Sequence, residues 1–197
     1  MAKGDETRRL ILRRGVETAY RIGLGGLTIG SLATITGLSK SGLYAHFRSK
    51  EALQLAVLHE ARADFIATVI RPALIVPRGI PRLRVLFEHW STWGSEGRPG
   101  CCLFVKAANE FDQQEGVVRD ELVQAHRDLQ DTIAQIARTA IAEDHFRTDV
   151  DPEQVATDLY GIMLALYLGA QLLADPAARQ RADHAFERLL ADAAPAA

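Results

Sequence analysis

Residues 28–50 gather hydroxyl, phenol, imidazole and ammonium groups into one short run: Thr28, Ser39, Lys40, Ser41, Tyr44, His46 and Lys50. If a helix starts after Ser39, residues three and four apart share a face, so Lys40, Ser41, Tyr44 and Ala45 turn to water together. A cation, a hydroxyl, a phenol and a methyl on one narrow face suit contact with phosphates and base edges. Lys50, at the start of the next helix, adds a cation beside free backbone N–H groups, a pairing that favours a phosphate.

Two short helices must hold that face. Thr28 is a fitting N-cap for the first, although Ser31 at N3 is a poor substitute for the Glu of a full capping box. Gly37 makes the turn, Ser39 caps the second helix and Ser49 caps the third. Ile29, Leu32 and Ala33 then face Leu38, Leu43 and Phe47, the apolar pairing a helix-turn-helix needs. The competing interpretation is an ordinary helical hairpin with solvated charges. His46 likewise has two readings, a nucleic-acid contact or packing on the hairpin edge.

Charge separates this region from the rest. Residues 1–50 carry a balance of +6 and residues 51–197 one of −8, although the chain as a whole is only −2. Such asymmetry points to a polyanion-facing N-terminal part and a body that stays clear of the polyanion. Arg8, Arg9, Arg13 and Arg14 could reach flanking phosphates or form a solvated basic face. With 197 residues, 48% of them hydrophobic, the chain can bury a core without disulfides or metal. The charged N-terminus lacks a secretory h-region, and the apolar run from Leu159 to Ala170 is shorter than the roughly 20 residues a bilayer requires. A cytoplasmic protein without membrane contact is expected. Cys101 and Cys102 form no disulfide framework; they are either small buried hydrophobes or, at a helix start, a thiol sensor.

Helical periodicity dominates elsewhere, so an all-α chain of about nine helices is expected. One helix spans 7–22 and another runs from Ser49 to about Arg71, where Pro72 ends it. Leu83, Leu86, Phe87 and Trp90 form a stripe, Gly94–Gly100 a loop, and Cys102–Asp112 a short helix. A long helix runs from Val117 to about Asp144. Asp151-Pro-Glu-Gln154 opens the next with an N-cap, an N1 proline and a glutamine that could close a capping box. That helix, 152–174, is apolar all round beyond Leu159, which requires cover on both sides. Gly161, Ala165 and Gly169 recur every four residues, a smooth stripe on which a second copy could seat. Together with Ala182, Phe186 and Leu189 of the last helix they form the expected homodimer interface; a central helix of a monomer is the other reading.

The run Gly37-Leu-Ser-Lys-Ser-Gly-Leu-Tyr-Ala-His-Phe-Arg-Ser-Lys-Glu-Ala-Leu53 resembles the signature of TetR-family transcriptional regulators, and the likeness extends back over the first helix. The resemblance implies a three-helix helix-turn-helix DNA-binding domain over 1–50 and a helical effector-binding and dimerisation domain over 51–197. It implies phosphate contacts from Thr28, Ser39, Tyr44, His46 and Lys50, and approach to base edges by Lys40, Ser41, Gly42 and Ala45. Four departures stand out: Thr36 and Gly15 replace the usual Ala, and Gly42 and Ala45 lack the polar side chains often found at their positions. Base readout then rests on few hydrogen bonds, thymine-methyl contact and DNA shape, with strong salt dependence.

By the same resemblance a small, mostly apolar effector would bind among the later helices. Phe65, Phe87, Trp90, Phe104, Tyr160, Met163 and Tyr167 are candidate walls, with Asn109 and His126 as polar anchors; each could equally be core. The expected function is a regulator, in the repressing sense, that binds palindromic operator DNA as a homodimer until the effector arrives. The alternative is a helical small-molecule-binding protein that has lost DNA binding. Enzyme motifs fail: His59-Glu-Ala-Arg-Ala63 lacks a second zincin His, and Gly23-Leu-Gly-Gly26 follows a helix rather than a strand. No metal site and no cofactor are expected.

Overall fold

The computed structural model describes residues 3–93 and 103–195, without the side chains of Lys3 and Asp5. The described residues form helices and no strand: α1 (Lys3–Ile22), α2 (Ile29–Thr36), α3 (Lys40–His46), α4 (Lys50–Phe65), a π-helical segment (Ile66–Ile70), α5 (Arg71–Ile75), α6 (Ile80–Trp93), α7 (Leu103–Phe111), α8 (Val117–Ala142), α9 (Pro152–Gln171) and α10 (Ala178–Ala193). Because α4, the π segment and α5 follow without a break, the described residues make nine rods. The expected loop at 94–100 and the pair Cys101–Cys102 lie outside the described residues.

The helices fall into two compact units, one built from 3–65 and 103–125, the other from 66–93 and 126–195. Within this division α4, α7 and the start of α8 group with the N-terminal helices. In the first unit Ile11, Leu12, Leu24, Leu27, Leu32, Leu43, Leu53, Val57 and Leu58 make the core. Gly15 explains itself here, because a Cβ would stand 2.7 Å from Val57 Cγ2. Glycine lets α1 and α4 approach where alanine would not.

The chain passes Pro72 instead of stopping. Proline lacks the N–H that would serve the Thr68 carbonyl and its ring crowds that same carbonyl. The π segment widens the turn, and His89 Nδ1 donates to Thr68 O at 3.0 Å. Since a carbonyl only accepts, His89 must carry its proton on Nδ1.

Unit two is built on α6, α9 and α10. Phe87 stacks on Phe186, centroids 4.2 Å apart, and the Arg179 guanidinium lies over the same Phe87 ring. Asp151 caps α9 by accepting from the N–H groups of Glu153 and Gln154. Gln154 does not close a capping box; its amide turns forward to Asp158. Asp175 accepts from Ala177 N and pairs with Arg181, and α10 begins only at Ala178 without a side-chain cap. The inward row of α10 is Ala182, Phe186, Leu190 and Ala193, while Leu189 is half-buried.

That register revises the apolar stripe of α9. Val155, Ala156, Leu159, Met163 and Leu166 face the core, whereas Gly161, Leu164, Ala165 and Leu168 are exposed. Gly169 is buried, with Ala178 of α10 so near that a Cβ would come within 3.0 Å of it. Its small size serves α10 of the same chain. Ala182 and Phe186 are likewise spent on the protomer's own core, being 5% and 2% exposed. What faces outward is Gly161, Leu164, Ala165, Leu168 and, beyond the helix, Leu172.

Candidate nucleic-acid interface

The hydrogen bonds at the start of α2 exceed what the sequence suggests. Ser31 N donates to Thr28 Oγ1 at 3.0 Å, and Thr28 N donates to Ser31 Oγ at 3.0 Å, a full capping box. Ser31 is short, but its hydroxyl reaches back across one turn as a Glu would. The same hydroxyl donates to Thr28 O, and the Thr28 hydroxyl turns to Ser31 Oγ. Thr28 is therefore exposed yet internally satisfied.

Gly37 ends α2 in the left-handed region, φ 69°, and its N–H returns to Ala33 O. Thr36 donates its hydroxyl to Leu32 O at 2.7 Å, so a polar residue at this half-buried position costs nothing in unmet hydrogen bonds. Ser39 caps α3 by accepting from Gly42 N at 3.0 Å, and its Oγ lies 3.1 Å from Ser41 Oγ. Ser49 caps α4 through Ala52 N.

With these caps set, α3 buries Leu43, and Phe47 closes the helix on the same side. Lys40, Ser41, Tyr44 and Ala45 are exposed together, Tyr44 at 54%. Gly42 and His46 are half-buried, the His46 ring tilted against Phe47 at 6.3 Å. The Lys40 chain leans along the first turn of α2, with Cε beside Gly30. Arg8 of α1 lies over the Phe47 ring at 5.4 Å, which keeps a cation at the last turn of α3. Arg14 pairs with Glu17 at 2.8 Å. Lys50 Nζ donates to Gly25 O at 2.7 Å, so this cation is held on the α1–α2 loop.

The outcome is a small exposed platform of cations, hydroxyls and one phenol on a rigid three-helix frame. Such a surface can neutralise phosphates and lay a short helix in a major groove. The frame is bound partly by residues that no short-range pattern reveals. Gln54 is buried and donates to Leu24 O at 2.9 Å; a polar residue on the inward row of α4 was the signal for it. Glu110 accepts from Gly25 N at 2.6 Å across 85 positions, and no sequence spacing points to it.

Residues 7–57 match the model for bacterial regulatory proteins of the tetR family, and residues 79–186 match the tetracyclin repressor-like C-terminal domain. The chain belongs to the TetR family. Its members are transcriptional regulators with a DNA-binding helix-turn-helix, not enzymes. No curated protein sequence matches this TetR-family chain. Among solved structures it is similar to a TetR transcriptional regulator from Chloroflexus aurantiacus J-10-FL, with a TM-score of 0.84 at 24% identity over 97% of this chain and 96% of that one. A TetR-family regulator from Streptomyces coelicolor gives 0.84 at 19% identity, covering 97% of each. AibR in complex with isovaleryl coenzyme A and operator DNA gives 0.71 at 20% identity, covering 93% of this chain and 98% of that one. These likenesses carry the fold.

The effector candidates of this TetR-family chain divide between the two units. In the second, Tyr160 Oη and His126 Nδ1 share a hydrogen bond, and the Tyr160 ring lies 5.8 Å from Trp90 and 5.9 Å from His126. Met163 is buried and Tyr167 half-buried in that unit, while Phe87 is taken up by its stack on Phe186. Phe65 and Phe104 are buried in the first unit. Asn109 departs from its expected role as an inward anchor: it is exposed, and its amide donates to Val105 O on its own helix. No helix among the described residues is long and apolar enough to cross a membrane.

Proposed function

We propose that this TetR-family chain is a ligand-responsive repressor that works in the cytoplasm as a homodimer on palindromic operator DNA. The surface of α3 carries the reading. Lys40, Ser41, Tyr44 and Ala45 are exposed while Leu43 and Phe47 anchor the helix beneath them. Thr28, Ser39, Gly42, His46 and Lys50 surround that face and complete the proposed contact set. Cationic contacts supply affinity and make it fall steeply with salt, whereas Lys40, Ser41, a Tyr44 or Ala45 contact to a thymine methyl, and DNA shape supply the limited base readout.

Two such helices must lie about one DNA turn apart, roughly 34–36 Å, which requires a second copy. The exposed apolar row of α9, Gly161, Leu164, Ala165 and Leu168, is the surface on which that copy seats. The effector is a small, mostly apolar organic molecule, and the Tyr160–His126 pair beside Trp90 is its proposed polar anchor. AibR was solved with both isovaleryl coenzyme A and operator DNA, which supports a regulator of this form answering to an organic ligand. A coupling of about 1–3 kcal/mol between the two ligands would lower operator affinity roughly 5–150-fold.

Selection of genomic duplexes by the purified protein, followed by titration of the recovered fragment at several salt concentrations, tests the proposal. A palindromic fragment bound by two chains, with affinity falling steeply as salt rises, is expected. Equal affinity for all duplexes would instead support a helical ligand-binding protein without an operator.

A further inference from the structure

Gly25 is gripped on both sides of its residue. Its N–H donates to Glu110 Oε2 at 2.6 Å and its carbonyl accepts from Lys50 Nζ at 2.7 Å. The preceding carbonyl, Leu24 O, accepts from the buried Gln54 amide. A few residues earlier Tyr20 O, among the last carbonyls of α1, accepts from Lys106 Nζ at 2.8 Å. Lys106 and Glu110 stand four apart on α7, so one helix face holds both the end of α1 and the loop that follows it.

The loop is shaped to this grip. Gly23 has φ +85°, a conformation that glycine adopts without strain. A Cβ on Gly23 would overlap the Glu110 carboxylate, and one on Gly25 would come within 3.0 Å of it. The carboxylate occupies the space that the two missing side chains leave. Downstream, the loop ends at Thr28, the cap of α2, and its Gly25 carbonyl is what holds the Lys50 ammonium.

We infer that Glu110 is a positioning residue for the DNA-binding surface: its acceptor oxygen fixes Gly25, and through Gly25 it sets Lys50 and the start of α2. This rests on reading 28–50 as the DNA-contacting surface. A carboxylate beside that surface opposes a polyanion by its charge alone, so its charge and its acceptor oxygen make opposite demands on binding. The two are separable by substitution. Glu110→Ala removes both, whereas Glu110→Gln removes the charge and keeps an acceptor for the Gly25 N–H.

The full-length chain is titrated against the duplex that the wild type selects, and the exchange of the Gly25 amide is followed without DNA. Glu110→Ala is expected to weaken binding about tenfold, the order of one charge-assisted hydrogen bond coupled to it, and to speed Gly25 exchange. Glu110→Gln is expected to bind at least as tightly as the wild type. If both variants bind more tightly, charge alone matters and the inference is overturned; it is equally overturned if both weaken alike or if Gly25 exchange does not respond. Should Glu110→Ala fold poorly, Glu110→Asp, which shortens the reach, gives the same comparison with the same expected weakening. A wild type that prefers no duplex overturns the DNA reading itself, and this inference with it.

Discussion

At position 15 a hydrogen atom sets how closely two helices approach. Alanine would raise helix propensity there by about 0.5–1 kcal/mol, so a purely local argument favours Gly15→Ala. The tertiary argument wins, because the new methyl meets Val57 Cγ2 at 2.7 Å and Val57 is fully buried. A β-branched side chain in a helix has one strongly preferred rotamer and cannot swing aside. Overpacking strain of about 1–3 kcal/mol therefore outweighs the gain. Urea unfolding of Gly15→Ala should show a net loss of about 1 kcal/mol, and Gly15→Ala with Val57→Ala should lose less than the sum of the two single changes. Equal additivity would mean the methyl is accommodated elsewhere. Thr36 teaches a complementary lesson: its hydroxyl is met by Leu32 O within its own helix, so this departure from the usual alanine asks nothing of its neighbours.

Individual elements are joined by polar bonds of very different worth. His89 supplies the donor that Pro72 withholds from Thr68, and the site is half-buried. His89→Phe fills the volume without the donor and should lower stability by about 1–3 kcal/mol, measured by thermal unfolding; an unchanged midpoint would show that water serves Thr68 equally well. The Arg84–Glu187 pair joining α6 to α10 is a weaker case. The hydrogen bond from Arg84 holds the Glu187 carboxyl below its ordinary range, its charge adding to the effect against slight desolvation. A carboxyl lowered on folding stabilises the protein above its unfolded pKa, about 4.3, and loses that contribution as pH falls through the lowered value. With the side chains 49% and 55% exposed, solvent reduces the contribution to less than about 1 kcal/mol. Glu187→Gln should thus be slightly destabilised near neutral pH and indistinguishable from the wild type in strong acid. Much at this scale is legible in the sequence, because caps act within four residues: Thr28, Ser39, Ser49 and Asp151 are found by their neighbours alone. Pro72 misleads for the same reason, since the local rule cannot see His89 arriving from another helix. Gly169 misleads too, its nearness to Ala178 being a consequence of how α10 folds back. Glu110 is invisible because 85 residues separate it from Gly25.

For the molecule as a whole, the +6 and −8 balances of residues 1–50 and 51–197 support the proposed polyanion, and the outward row of α9 supports the proposed second copy. Leu168, 48% exposed, lies in that row with Leu164, and Leu172 at 74% continues it. A charge placed there should cost little in the isolated protomer and much in the assembly. Leu168→Glu is expected to shift the mass measured by sedimentation from two chains to one without loss of helical signal, and to abolish operator binding at concentrations where the wild type saturates. A dimer that persists would move the seat to another face. The exposed row also has a genetic corollary. If, as proposed, pairing depends on α9 and DNA contact on α3, a chain damaged only in α3 still finds partners and sequesters them in hybrids with a single working reading head. Co-expressing a Tyr44→Asp chain with the wild type should therefore release a reporter gene in a dose-dependent way, a poisoning that adding Leu168→Glu to the damaged copy would cure.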